Sequence, residues 1–302
     1  MQILHTLAAQ LPDLDQLVML AVWLLILCAL FIPLERFWSL RPAHILRPDI
    51  VHDLCYYAIN SLLPKFLLIL PISAAAWLAH AYVPYRILAF SADLSFWPRF
   101  LLASLVAETG FYWGHRWSHE IPFLWRFHAV HHSAEHIDFM VNVRAHPIDM
   151  VFTRLCGFVP LYVLGLSQQN ANHIDAVPFL IVLMGTVWGF FIHANLRWRL
   201  GWFEHILATP AFHHWHHTND HRRDMNYAST LPFLDRLFGT YNMPKHEWPE
   251  IYGIDAQIAP GLIGQLMDPL MLDPPKHKKQ ASKAGLRPDP PGAEPLDLVH
   301  FE

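Results

Sequence analysis

The sequence runs to 302 residues, 54% of them hydrophobic and only 15% charged, with a formal net charge of −4 and a mean hydropathy of +0.24. A water-soluble domain carries about a quarter charged residues, so this deficit argues against a soluble protein and for a membrane one. No Lys/Arg stripe interleaved with aromatics stands outside the loops, which excludes nucleic acid as the expected partner. The three cysteines, Cys28, Cys55 and Cys156, show no C-x-x-C spacing and read as small apolar filler, not as disulfides or thiolate ligands.

Residues 1–15 lack the basic start of a secretory signal, and the apolar run behind them is long enough to span, which predicts a retained anchor. A helix needs roughly 20 mostly apolar residues to cross the hydrocarbon core. Five runs meet or approach that length: 17–34, 66–83, 96–113, 148–166 and 177–192. The fourth is the weakest, because Arg154 in its second turn has to snorkel toward the interface. The fourth and fifth form either two spans or a hairpin that enters the bilayer partway. Beyond residue 274 the chain is rich in Pro, Lys, Asp and Glu and poor in large apolar residues, which predicts a disordered tail.

Basic residues set the orientation. Arg36, Arg41, Arg47 and Lys65 lie between the first two runs, and Arg116, Arg126 and Arg144 follow the third. The 84–94 loop has only Arg86, and neither the 168–176 loop nor the stretch before Gln16 has any. The positive-inside rule then puts the N-terminus outside and the C-terminus in the cytoplasm. Both histidine-dense regions, 115–146 and 193–221, emerge on that cytoplasmic side. The expected fold class is all-α, a polytopic membrane helical bundle of about four to five transmembrane segments under a cytoplasmic, histidine-rich helical cap.

Of 22 histidines, eight fall into three spaced groups. His115 and His119 form H-x-x-x-H, and their i,i+4 spacing puts both imidazoles on one helix face. His128, His131 and His132 form H-x-x-H-H, a spacing that His213, His216 and His217 repeat. So many imidazoles exceed the needs of one ion and suit two that keep open positions. Imidazole serves Fe, Zn, Cu and Ni alike, so spacing alone does not name the metal.

The stretches GHRWSHEIPFLWRFHAVHHSAEH, NVRAHP and ATPAFHHWHHTNDHRRDMNYA, followed by LDRLFGTY, resemble the fatty acid hydroxylase (sterol desaturase) superfamily over residues 96–240. The resemblance implies a membrane-bound oxidase with two iron ions, zinc being an alternative as isolated. It implies O2 as co-substrate and electrons from a separate donor, and it implies hydroxylation or desaturation of a lipid. Hydroxylation is the favoured outcome. Carried over by position, the implied metal ligands are His115, His119, His128, His131, His132, His213, His216 and His217, with His193 as a further ligand. His193 has a competing role as a helix C-terminal cap, where its charge would meet the dipole favourably. The division that follows is 1–95 for membrane anchoring, 96–240 for the catalytic domain, 241–273 for a C-terminal extension and 274–302 for the tail.

Ligating histidines need a partner for the second ring nitrogen. Asp224, Asn226 and Asp235 match family positions that could serve, although Asp235 could equally form a surface ion pair with Arg236 or another arginine. Where the family commonly has Asn-Tyr-Gly this chain has Asn226, Tyr227 and Ala228, which puts the local turn in question. Glu108 is the acidic residue inside the third run, on a stripe with Tyr112, His115 and His119. Its expected role is to support the metal site through Tyr112, a water or a histidine, against the alternative of a helix-helix hydrogen bond. His136, His146, His214 and His221 stay open between ligand, supporting and structural roles. His5, His44, His52, His80, His173, His205, His246, His277 and His300 have no box spacing and read as ordinary interfacial or solvent histidines.

Rival functions fit less well. A zinc protease needs H-E-x-x-H, but Phe123 stands where the second histidine would be after His119 and Glu120. A di-haem cytochrome places axial histidines within facing helices. A non-catalytic metal-binding protein or transporter would carry a ladder of polar ligands through the apolar runs, which they lack. No dinucleotide fingerprint, haem attachment or iron–sulfur cysteine set occurs, so the implied partners are a lipid, the membrane and a separate reductase or electron carrier.

Overall fold

A chain segment in hydrocarbon must pair its own backbone groups, and a helix does so within one segment. The computed structural model describes residues 14–42, 47, 49–167, 176–220, 222–245, 247–256 and 258–271. Within them each long apolar run is helical and no strand is formed beyond two isolated bridges, Ser39 with Leu196 and Thr218 with Tyr252. The expected tail lies outside the described residues.

The helices are α1 (Leu14–Trp38), α2 (Ile50–Leu62), α3 (Pro64–Tyr82), α4 (Tyr85–Asp93), α5 (Phe96–Glu120) and α6 (Pro122–His132). They continue with α7 (Pro147–Val163), α8 (Ala176–His193), α9 (Pro210–His216), α10 (Phe233–Leu237) and α11 (Leu262–Met267). Proline opens α3, α6, α7 and α9 in the first turn, where its missing N–H has no intrahelical partner to lose. Pro122 also ends α5, so the chain reverses between the first and second histidine groups.

Among the described residues, three stretches are long and apolar enough to cross a membrane: Leu14–Trp38, the nearly continuous Ile50–Tyr82 and Ala176–His193. Their apolar side chains point outward, with Leu70 78% and Trp77 66% exposed, an arrangement water would not tolerate over so wide a face. The runs 96–113 and 148–166 also form helices, α5 and α7, but neither is among those three. The 17-residue α7 carries Asp149 and Arg154, and α5 carries Arg99 and Glu108. Counting apolar runs one at a time hid the fact that these two helices bury their small and polar faces against each other.

That crossing is unusually close. A Cβ at Gly110 would lie 2.1 Å from the Cys156 carbonyl oxygen, and one at Gly157 would lie 2.4 Å from the Phe111 ring. Gly110 and Gly114 form a G-x-x-x-G face that lets backbones meet without intervening side chains. Helices α1 and α2 pack on the other side, where Leu27, Phe31 and Tyr57 share a core with Phe139, Met140 and Phe190. Both packing layers converge on the ends of α5, α6, α8 and α9, where the histidines sit.

Candidate metal centre

The nine histidines expected as ligands meet at one place in two adjoining groups. His115, His119, His128, His132 and His216 form one, and His131, His193, His213 and His217 the other, with the candidate ligand atoms of each group within 4.8 Å of one another. The groups touch through His132 and His217, whose rings stack 4.5 Å apart. Helix periodicity explains the sorting. His115 and His119 project from the last turns of α5, whereas α6 sends His128 and His132, four apart, to the first group and His131 to the second.

The second ring nitrogens show what the first ones are for. Nδ1 of His115 donates to the Tyr227 carbonyl at 2.7 Å, His131 to the Arg144 carbonyl at 3.0 Å, His193 to the Gly189 carbonyl at 2.7 Å and His216 to the Met225 carbonyl at 2.8 Å. A carbonyl only accepts, so in these rings Nδ1 bears the hydrogen and Nε2 presents a lone pair. Nε2 of His131 and Nε2 of His193 nevertheless face each other at 3.2 Å. Two lone pairs in contact repel unless a cation lies between them. Nε2 of His119 and of His216 are likewise buried without a partner, a state that costs about 1–3 kcal/mol per group unless something binds it. This donor set fits metal ions.

Electrostatics favour the same reading. Burial, followed by the neighbouring His128, pushes the His115 and His131 imidazoles down to about 3. Burial and adjacent imidazoles hold His119, His132, His213, His216 and His217 well below the usual histidine range. All are therefore neutral near pH 7, the form that ligates.

Residues 100–240 match the family model described as fatty acid hydroxylase. This stretch belongs to the fatty acid hydroxylase family. Over 189 residues the chain is 34% identical to ornithine lipid hydroxylase OlsE of Rhizobium tropici, covering 60% of this chain and 55% of that protein. It is 36% identical over 141 residues to alkylglycerol monooxygenase of Danio rerio, covering 46% of this chain and 30% of that one. Methylsterol monooxygenase 2-2 of Arabidopsis thaliana is 25% identical over 136 residues, covering 45% and 49%. The chain thus spans about half the length, or less, of these relatives. No solved structure matches.

In this hydroxylase-family domain the supporting residues divide by role. Asp224 reaches His119 directly, Oδ1 lying 3.2 Å from Nδ1. Asn226 sits at φ +60°, a left-handed position that asparagine tolerates. Its amide donates to the Phe212 and Asn242 carbonyls and accepts from Asn242 N–H. Asp235 accepts from the N–H groups of Tyr227 and Ala228 and from the Thr240 hydroxyl. It is fully buried and is no surface partner of Arg236, which contacts His205 instead. Glu108 accepts from Thr230 and Leu231 N–H, not from Tyr112 or a histidine. Glu108, Asn226 and Asp235 thus shape the 225–231 segment, whose Met225 and Tyr227 carbonyls hold His216 and His115. Ala228 is not at positive φ, so the family's glycine is not needed for the turn.

The open histidines separate as well. His146 caps α7 by accepting from Ile148 N–H, and its other nitrogen donates to the Leu266 carbonyl. His214 binds the Tyr252 hydroxyl and the Ala194 carbonyl. His136 is exposed, and none of the three enters either group. His52, His80 and His205 also stand outside both groups. His221, and with it His5, His44, His173, His246, His277 and His300, lies outside the described residues.

Asp149 escaped the sequence reading. Its Oδ2 lies 2.9 Å from His128 Nδ1 and its Oδ1 accepts from the Ser118 hydroxyl at 2.9 Å. The signal was present, since Asp149 is a carboxylate at the edge of an apolar run. The reasoning that singled out Glu108 applies to it equally.

Proposed function

We propose that the chain is a membrane-bound hydroxylase of lipids that holds two iron ions in the two histidine groups. The observation that carries this reading is the pairing of buried Nε2 lone pairs in both groups, with six of the nine rings oriented by a carbonyl or carboxylate behind them. Bound iron would supply the activation of O2 and the oxidation of a C–H bond. The chain's own part is to gather and aim nine imidazoles, to exclude bulk water by burial and to present an apolar exterior to the lipid. Glu108, Asn226 and Asp235 act as positioning residues, through the backbone segment that orients His115 and His216.

Hydroxylation is preferred to desaturation because the relatives named above are a lipid hydroxylase and two monooxygenases. Electrons come from a separate carrier, for which the chain has no cofactor motif of its own. The basic residues flanking α1 and α5 support a multi-pass topology with the histidine end on the cytoplasmic side, the carrier docking there.

The test is to express the chain in a lipid-producing host under isotopically heavy O2 and compare lipid extracts with those of a His216→Ala control. A lipid class gaining one heavy oxygen atom only with the unaltered chain is the expected result. An unchanged lipid profile from metal-loaded protein supplied with a competent electron donor would contradict the proposal.

A further inference from the structure

The two histidine groups differ in what stands behind their direct supports. In the five-histidine group, His115, His119, His128 and His216 lean on Tyr227, Asp224, Asp149 and Met225, all within residues 100–240. In the four-histidine group, His131 leans on the Arg144 carbonyl, and the Arg144 guanidinium is gripped by Asp53 of α2, Nε donating to Oδ1 at 2.6 Å. The other Asp53 oxygen takes Arg47, which also binds Asp138. Asp53 is fully buried, so this network is internal.

Glu35 of α1 makes a parallel connection. Its Oε1 accepts from Asn195 N–H at 2.9 Å, two residues beyond His193, and from Phe139 N–H at 2.8 Å. One carboxylate oxygen thereby ties the exit of α8 to the segment that follows His131 and His132. Nδ1 of His213 and of His217 have no partner at all. The four-histidine group has direct outer partners only in the Arg144 and Gly189 carbonyls, and the carboxylates that fix Arg144 and the turn after His193 precede the matched domain.

We infer that Asp53 and Glu35 are positioning residues for the four-histidine metal position, and that the five-histidine position fills without them. The inference rests on the two-metal reading above. Asp53 fixes the backbone carbonyl that orients His131, and Glu35 fixes the turn that carries His193. Loss of a direct outer partner typically weakens metal binding by about 10–100-fold. Asp53 acts one step further back, so about tenfold at one position is the expected effect.

The experiment uses full-length protein in detergent, equilibrated with ferrous iron against a competing chelator, with metal per chain and the iron's spectroscopic signature as readouts. The variants are Asp53→Asn, Glu35→Leu, and the double variant Asp53→Leu/Arg144→Leu. The double variant removes both charges and so avoids leaving a buried guanidinium uncompensated. Each should fall from two metals toward one, retain the spectrum of the five-histidine position and resemble His131→Ala. Asp53→Glu, which restores the charge, should recover part of the loss. Two metals held with unchanged affinity in the variants, or both metals lost in step from folded protein, would overturn the inference. A wild-type chain that binds at most one metal would instead overturn the two-metal reading on which it stands.

Discussion

Gly110→Leu should abolish assembly of the histidine centre, the largest effect expected of any single change away from the histidines themselves. The new Cβ would stand 2.1 Å from the Cys156 carbonyl oxygen and 2.8 Å from the Gly157 Cα, both backbone atoms that no rotamer change can move aside. Helices α5 and α7 would have to separate. Overpacking a core costs about 1–3 kcal/mol where side chains can yield, and a backbone clash lies above that range. Separation also pulls Asp149, on α7, away from Ser118 on α5 and from His128 on α6. Thermal unfolding in detergent and metal analysis should show both stability and metal content collapsing, with Gly110→Ala showing the same trend. A Gly110→Leu protein with unaltered melting and two metals would show that the crossing is not what sets the site.

Asp149→Leu is expected to disable the five-histidine position while leaving the helices in place. The carboxylate is buried and serves His128 Nδ1 and the Ser118 hydroxyl with separate oxygens. Leucine has similar bulk but leaves both donors unpaired, at about 1–3 kcal/mol each. It also frees the His128 ring to rotate and to lose its Nδ1–H tautomer. Outer partners of metal-binding histidines matter by about 10–100-fold, and a carboxylate with no solvent to replace it falls near the upper end. Asp149→Asn should be milder, since its amide oxygen still accepts from one of the two donors. Metal affinity measured by chelator competition should be highest in wild type, lower in Asp149→Asn and lowest in Asp149→Leu. Equal affinities across that series would remove Asp149 from the site.

Much of the site could be read from spacing because a helix converts spacing into direction. The i,i+4 pair in α5 and the two H-x-x-H-H triplets pointed to eight rings that could gather around metal, and these eight do lie together with His193, although each triplet is divided between the two groups. What spacing could not supply was the division into five and four, which depends on where α8 ends against α6. The second ring nitrogens mostly find backbone carbonyls, at Arg144, Gly189, Met225 and Tyr227, and a carbonyl leaves no mark in a sequence. Expecting side chains in that role drew attention to Asp235 and Asn226, which act through the backbone, and away from Asp149, which acts directly. The helical class was legible from composition. The close pairing of α5 with α7 was signalled only by Gly110 and Gly114, a spacing whose meaning depends on the partner helix.

The most direct test of the whole account is the number of metal ions per chain in protein purified from iron-replete cells, measured for wild type, His119→Ala and His131→Ala. The two groups predict about two ions in wild type and about one in each variant, with different spectroscopic signatures remaining because a different group survives in each. Wild-type protein that is active on lipid with no bound transition metal, or variants that both keep two ions, would contradict it.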